Sequence, residues 1–270
     1  MAEPVLLRMP FSHFCRKAEW GLTQAGVAYT TLDVRLIDMA DQKRANPEGT
    51  VPVLRVGDEL LFGSHAVLRW AEAHKSPAAP SLYPPGTKPQ VEAWESWADA
   101  TLGSAVRREA YRALHAKPSL AGQHGLPLWM RTPFARRFYL GVLKLLKARR
   151  FEADDPKAIR EGVSTIVSQL GRSGTGYLFG AHPTAADQAT AALLEPLVPA
   201  AAERGYDRLP GWPHLVAYIA RVRPATTTRS GGKAVREADW REFERLNAVA
   251  KPVAMPELRC ECGVPDWTKA

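Results

Sequence analysis

Hydrophobic and polar positions in the first ninety residues alternate between two periods. "VLLRM" (5–9) is a short apolar run ended by Pro10 and reads as a strand. After it, Cys15, Ala18, Leu22 and Ala25 recur at spacings of three and four, which predicts a helix over 14–25 terminated by Gly26. "AYTTLDV" (28–34), rich in β-branched residues, is the next strand. Two such strands joined by a helix make a right-handed parallel crossover unit. "VLRV" and "ELLF" flank Gly57-Asp58 as a tight hairpin, and Val67, Trp70, Ala71 and His74 mark one face of a helix starting at Ser64.

Strand, helix, strand, connection, hairpin, helix is the element order of a thioredoxin-like α+β domain. "SPAAPSLYPPGTKP" (76–89) holds five prolines without periodicity and reads as a linker. Helical periodicity dominates beyond it, with candidates at 90–115, 134–150, 156–170, 185–198, 212–222 and 233–250. In the last of these, Val235, Phe243, Leu246 and Ala250 share a side, and Glu237 stands four before Arg241. The expected fold is an α+β N-terminal thioredoxin-like domain (1–76), a linker (77–89), an all-α helical-bundle domain (90–225) and a C-terminal helical extension and tail (226–270). No internal repeat or low-complexity tract interrupts this pattern.

Composition excludes several function classes. The 270 residues are 46% apolar and 24% charged, and no apolar run approaches the roughly 18 residues of a membrane span. "MAEPVLLRMPF" lacks the form of a secretory signal, so the expected location is cytoplasmic. The net charge of +8 favours anionic partners, but Arg and Lys are spread along the chain without a nucleic-acid motif. The densest basic run, 131–150, sets Phe134, Phe138, Val142, Leu145 and Leu146 on one side of a helix, with Arg137, Lys144 and Lys147 largely elsewhere. That suits a core-facing helix with a solvated basic side, or one lying on a membrane. Cys15, Cys260 and Cys262 are too few for a disulfide framework, and the latter two lack the further ligands a structural zinc needs. No metal is expected.

Candidate chemistry starts at "PFSHFCRKAEWGL", where Ser12 stands three before Cys15 at the start of a predicted helix. Taken alone, Ser12 is an N-cap, and Cys15 on the apolar face is a small core residue. The segment also resembles the serine-type active-site stretch of the cytosolic glutathione transferase family. Two further motifs carry the same resemblance in family order: "GTVPVL" (49–54), where the family has a cis proline before its third strand, and "YLFGAHPTAADQATAALLEPL" (177–197), similar to a helix start in its second domain.

The resemblance implies a glutathione transferase, with glutathione as co-substrate and a small apolar electrophile as partner. It makes Ser12 the catalytic residue, its hydroxyl stabilising the glutathione thiolate with help from the adjoining helix end near Phe14. Arg16 and Lys17 add positive charge there or face solvent. A cis Val51–Pro52 bond would present the main chain of Val51 to the cysteinyl unit. Ser64 and the helix start behind it would hold the γ-glutamyl carboxylate. Gly63 departs from the pattern, because Glu, Asp or Gln usually stands there to meet the γ-glutamyl amino group.

Phe11, His13 and Phe14 on one side, with Trp97 and Tyr111 on the other, are the implied substrate pocket; Trp94, Trp129, Arg112 and His115 are also near in the pattern. Thr184 and Asp187 are a structural capping box, with Gln188 in place of an apolar staple residue. Members of the family are two-fold dimers, so a homodimer is implied, without nucleic acid or membrane insertion. Two alternatives stand beside the transferase: a non-catalytic binding or scaffold protein of the same fold, and a glutathione-linked thiol reductase or peroxidase using Cys15.

Overall fold

A computed structural model describes residues 3–35, 38, 40–117, 155–225 and 232–249, apart from the His115 side chain. The predicted helix 134–150, Trp129, Cys260 and Cys262 lie outside the described residues. The chain divides into two compact units, one made of Met1–Glu92 and Arg223–Ala270, the other of Ala93–Val222.

In the first unit β1 (Val5–Arg8), α1 (His13–Gln24) and β2 (Thr30–Asp33) form the expected parallel unit, with Leu7 opposite Leu32. The short α2 (Gln42–Ala45) leads to the hairpin β3 (Val53–Val56) and β4 (Glu59–Phe62), and α3 (Gly63–Ala73) follows at once. Gly57 takes φ +59° in the hairpin turn, a conformation open to glycine without steric cost. Helices α1 and α3 pack together. Gly21 permits their close approach, since a Cβ there would sit 2.7 Å from the Cδ1 of Leu68. The buried side of α3 is Ser64, Val67, Leu68 and Ala71. Trp70 and His74, expected on that face, instead stack on each other at its margin, 4.2 Å between rings.

The sheet has a fifth strand. Sequence periodicity predicts a single helix over 233–250, but Lys233–Ala234 form β5, parallel to β2, and only Glu237–Val249 are helical. The sheet order is therefore β4-β3-β1-β2-β5. Two residues of edge strand carry no periodic signal, which is why sequence alone reads through them as helix. The proline-rich stretch read as a linker packs against α3: Leu82 and Tyr83 are buried, Glu72 accepts from the Leu82 N–H and the Ser81 hydroxyl, and the Arg69 guanidinium lies 4.1 Å from the Tyr83 ring centre.

The second unit is all-helical among the described residues. The predicted helix 90–115 is interrupted: α4 (Lys88–Trp97) passes into a π-helical stretch (Ala98–Gly103) and then α5 (Ser104–Ala116). They are followed by α6 (Asp155–Ser173), α7 (Ala185–Leu194), α8 (Ala201–Arg204) and α9 (Trp212–Val222), with 3₁₀ turns at Glu195–Leu197 and Tyr206–Arg208. All ten residues of α7 are buried, which makes it the central helix of the unit. Its start carries the expected reciprocal cap between Thr184 and Asp187. Glu109, fully buried on α5, pairs with Arg112 and Arg204 and accepts from the Tyr206 hydroxyl at 3.1 Å.

Candidate active site

Strand register gathers the three predicted segments of the first unit. Leu7 on β1 pairs with Val53 on antiparallel β3, and Val53 pairs with Phe62 on β4. The end of β1, the start of β3 and the end of β4 therefore meet at one edge. The turns leaving that edge carry Ser12, Val51–Pro52 and Gly63–Ser64. A hydrogen bond from the Gly63 N–H to the Pro52 carbonyl, 3.0 Å, joins the last two directly.

Ser12 is the N-cap of α1, with extended backbone (φ −80°, ψ 122°). Its Oγ accepts a long bond from the Cys15 N–H at 3.4 Å, and its carbonyl accepts from the Arg16 N–H at 3.0 Å. A hydroxyl that accepts through oxygen keeps its proton for another partner. Ser12, Phe11 and Phe14 are half-buried, whereas His13 is 4% exposed and tilts against Phe14 at 4.6 Å. Of the two places open to Lys17, the solvent is ruled out: it is fully buried in α1.

The Val51–Pro52 bond is cis, and Val51 is half-buried. Among the described residues the main chain of Val51 takes part in no backbone hydrogen bond. The turn before it is tied by Asn46, whose amide donates to the Thr50 carbonyl (3.1 Å) and hydroxyl (2.8 Å) and whose Oδ1 accepts from the Glu48 N–H (3.1 Å). Ser64 is buried in the first turn of α3. Gly63 has φ +81°, and a Cβ built on it meets nothing within 4 Å. A side chain would have room there but would be held in the left-handed region, which glycine occupies freely. Among the described residues no cluster of His, Cys, Asp or Glu is gathered for a metal ion.

Cys15 sits one turn inside α1 with no exposed surface. Its Sγ accepts from the Met9 N–H at 3.4 Å. Burial pushes its thiol up to about 12, outweighing the hydrogen bonds from Met9 and Ser12. A thiol in that state is neutral and poorly nucleophilic.

Sequence reasoning missed a buried charge cluster beside the site. Arg8, at the end of β1, donates from Nε to Asp33 Oδ1 at 2.7 Å and pairs through Nη1 with Glu19 of α1. One guanidinium thus serves two carboxylates. Burial pushes the Glu19 carboxyl up to about 7 despite the neighbouring charge of Arg8. The available signals were an arginine inside an apolar strand run and a glutamate four residues beyond Cys15 on the apolar face. Buried charges of this kind require partners.

Because its pKa rises from an ordinary value near 4.5 to about 7 on folding, Glu19 contributes stability that is fully present below about 4.5 and lost as pH climbs through about 7. Wild type is expected to lose on the order of 2 kcal/mol of this contribution between about pH 5 and about pH 8, and Glu19→Gln to lose none of it. Urea unfolding of both proteins at the two pH values measures the difference, and equal slopes would refute the assignment.

Trp97 and Tyr111 belong to the second unit. Trp97 is 4% exposed and packs edge-on against Trp94 at 5.1 Å, whose indole N–H donates to the Thr190 hydroxyl at 2.9 Å. Tyr111 is half-buried on α5. Arg112, one of the residues expected near the substrate, is engaged with Glu109 and Asp155.

The model of the glutathione S-transferase N-terminal domain matches residues 6–86, and that of the glutathione S-transferase C-terminal domain matches residues 152–221. No curated protein matches the chain. Among solved structures, glutathione transferase GSTFuA3 from Phanerochaete chrysosporium is 18% identical, over 82% of this chain and 96% of that one, with TM-score 0.59. A glutathione S-transferase from Methylobacillus flagellatus KT with glutathione bound is 19% identical over 86% and 100%, with TM-score 0.58. The theta-class enzyme of Xanthomonas axonopodis pv. citri, also with glutathione bound, is 23% identical over 87% and 99%, with TM-score 0.53. Likeness at these identities is likeness of fold. No helix among the described residues is long and apolar enough to cross a membrane.

Proposed function

The chain belongs to the cytosolic glutathione transferase family, and from that premise we propose that it binds glutathione at the Ser12 edge of its sheet and transfers it to an apolar electrophile. The observation that carries this reading is the strand register, which brings Ser12, Val51–Pro52 and Gly63–Ser64 to one edge. The same fold carries bound glutathione in the Methylobacillus and Xanthomonas structures.

In this reading the Ser12 hydroxyl donates to the glutathione sulfur. A free thiol ionises near ~8.5, and a hydroxyl donor together with the N-terminal end of α1 favours the thiolate at neutral pH. The N–H and carbonyl of Val51 pair with the cysteinyl unit. The Ser64 hydroxyl and the first amides of α3 receive the γ-glutamyl carboxylate. The thiolate attacks the electrophile and a sulfur–carbon bond forms. In substitution the leaving group departs with its electron pair; in addition the pair passes to the acceptor, which takes a proton from water. Phe11 and Phe14 offer the apolar contact nearest the sulfur, while His13, expected to join them, is buried behind Phe14. The proposed protein is a cytoplasmic homodimer with residues 1–76 as its glutathione-binding domain.

Gly63 supports a second reading, a non-catalytic binding protein, because the γ-glutamyl amino group loses a side-chain partner there. A reductase working through Cys15 is disfavoured by the burial that keeps its thiol neutral. Calorimetric titration of the full chain with glutathione, followed by conjugation assays on an aryl halide and an enone, decides among them. Saturable heat with turnover is the expected outcome. Tight, saturable heat undercuts the non-catalytic reading, and the absence of both heat and turnover removes the transferase.

A further inference from the structure

Residues 232–249 lie beyond both family matches, which end at residues 86 and 221. They are nonetheless built into the first unit. β5 lengthens the sheet, with Leu32 opposite Lys233 and Asp33 opposite Ala234. Helix α10 (Glu237–Val249) then lays Trp240, Phe243 and Leu246, with Val235, into one core with Leu7, Leu32, Val34, Val53 and Leu60. At the rim, Arg44 grips Glu237 with two bonds of 2.9 and 3.0 Å, and Arg245 reaches Asp58 at 2.9 Å. Exposed pairs of this kind add register more than strength; the apolar contact holds the segment down.

The segment touches the charge cluster at one point. Gly232 packs so closely on Asp33 that a Cβ would overlap its carboxyl group. That carboxylate cannot readily swing away, because Arg8 Nε holds it at 2.7 Å while the same guanidinium pairs with Glu19 on α1. Arg8 leads straight into the turn bearing Ser12. Within it the Met9 N–H binds Cys15 Sγ, and the Ser12 N–H binds the Met9 carbonyl at 2.9 Å. Displacing β5 or rotating Asp33 therefore disturbs the anchor of the α1 start.

We propose that residues 232–249 are an intramolecular strap that fixes the Ser12 edge, with Asp33 and Arg8 as positioning residues acting through the turn between β1 and α1. The binding readout below rests on the glutathione reading; the exchange readout does not.

Gly232→Ala and Trp240→Ala in the full chain test this from two sides, the first at Asp33 and the second on the far face of the sheet. Each is expected to speed amide hydrogen exchange over residues 9–16 and to raise the glutathione dissociation constant about tenfold, or 1.4 kcal/mol, with Ala185–Leu194 as internal control. Faster exchange in 235–247 with residues 9–16 and glutathione affinity unchanged overturns the proposal, as does a Gly232→Ala protein that exchanges like wild type throughout. Should either variant fail to fold, Phe243→Leu trims the apolar contact more mildly and is read by the same two signals. A wild type that binds no glutathione would sink the functional reading alone, since exchange over 9–16 still decides the strap.

Discussion

Asp187→Ala is expected to destabilise the helical unit by about 3 kcal/mol, the cost of leaving several buried donors without an acceptor. The Asp187 carboxylate has no exposed surface and accepts four bonds. They come from the Thr184 N–H and hydroxyl at 2.8 Å each, and from the Leu178 N–H and the Tyr218 hydroxyl at 2.9 Å each. Alanine would strand these donors where water cannot reach, and each unsatisfied buried group costs about 1–3 kcal/mol. The bonds also join the start of α7 to the loop before it and to α9, so the loss is spread over three segments. Asp187→Asn keeps the volume but turns one acceptor into a donor facing donors, and should fall between the two. Urea unfolding followed by exchange across α7 measures the effect; a loss below about 1 kcal/mol would mean that the cap is incidental.

Ser12→Ala carries the largest expected effect on chemistry. A hydrogen bond to a charged group is worth about 1.5–3 kcal/mol, so removing it should raise the pKa of the bound glutathione thiol by about 1–2 units. For a wild-type thiol titrating near neutrality, the thiolate fraction at about pH 7, and with it the conjugation rate at saturating glutathione, falls about 5- to 50-fold. The variant also loses the α1 cap, worth about 1 kcal/mol. Stability and thiol titration are therefore read separately, the second by thiolate ultraviolet absorbance of the bound tripeptide. Ser12→Thr keeps both hydroxyl functions and should recover most of the rate. An unshifted titration in Ser12→Ala would remove Ser12 from the mechanism while leaving the fold untouched.

Much of the candidate site was legible because its parts are local. The cap at Ser12, the turn before Pro52 and the helix start after Gly63 each lie within a few residues, and turn and cap chemistry act over that range. Their meeting at one edge follows from strand order once the crossover and hairpin are recognised. The capping box at Thr184 and Asp187 was legible for the same reason. The Tyr218 hydroxyl that completes it comes from 31 residues away and was not.

The sequence by itself determined where most elements begin and end, which of their faces are apolar, and the α+β-then-α order of the chain. Only the tertiary structure decided what those faces meet: Asp33 and Glu19 around Arg8, the burial of Lys17, and the return of 232–249 to the first sheet. Arg44 and its partner Glu244 are 200 positions apart. Periodicity records the side on which an element hides its apolar residues, but a charged side chain's partner is set by the path of the whole chain, which no local window contains.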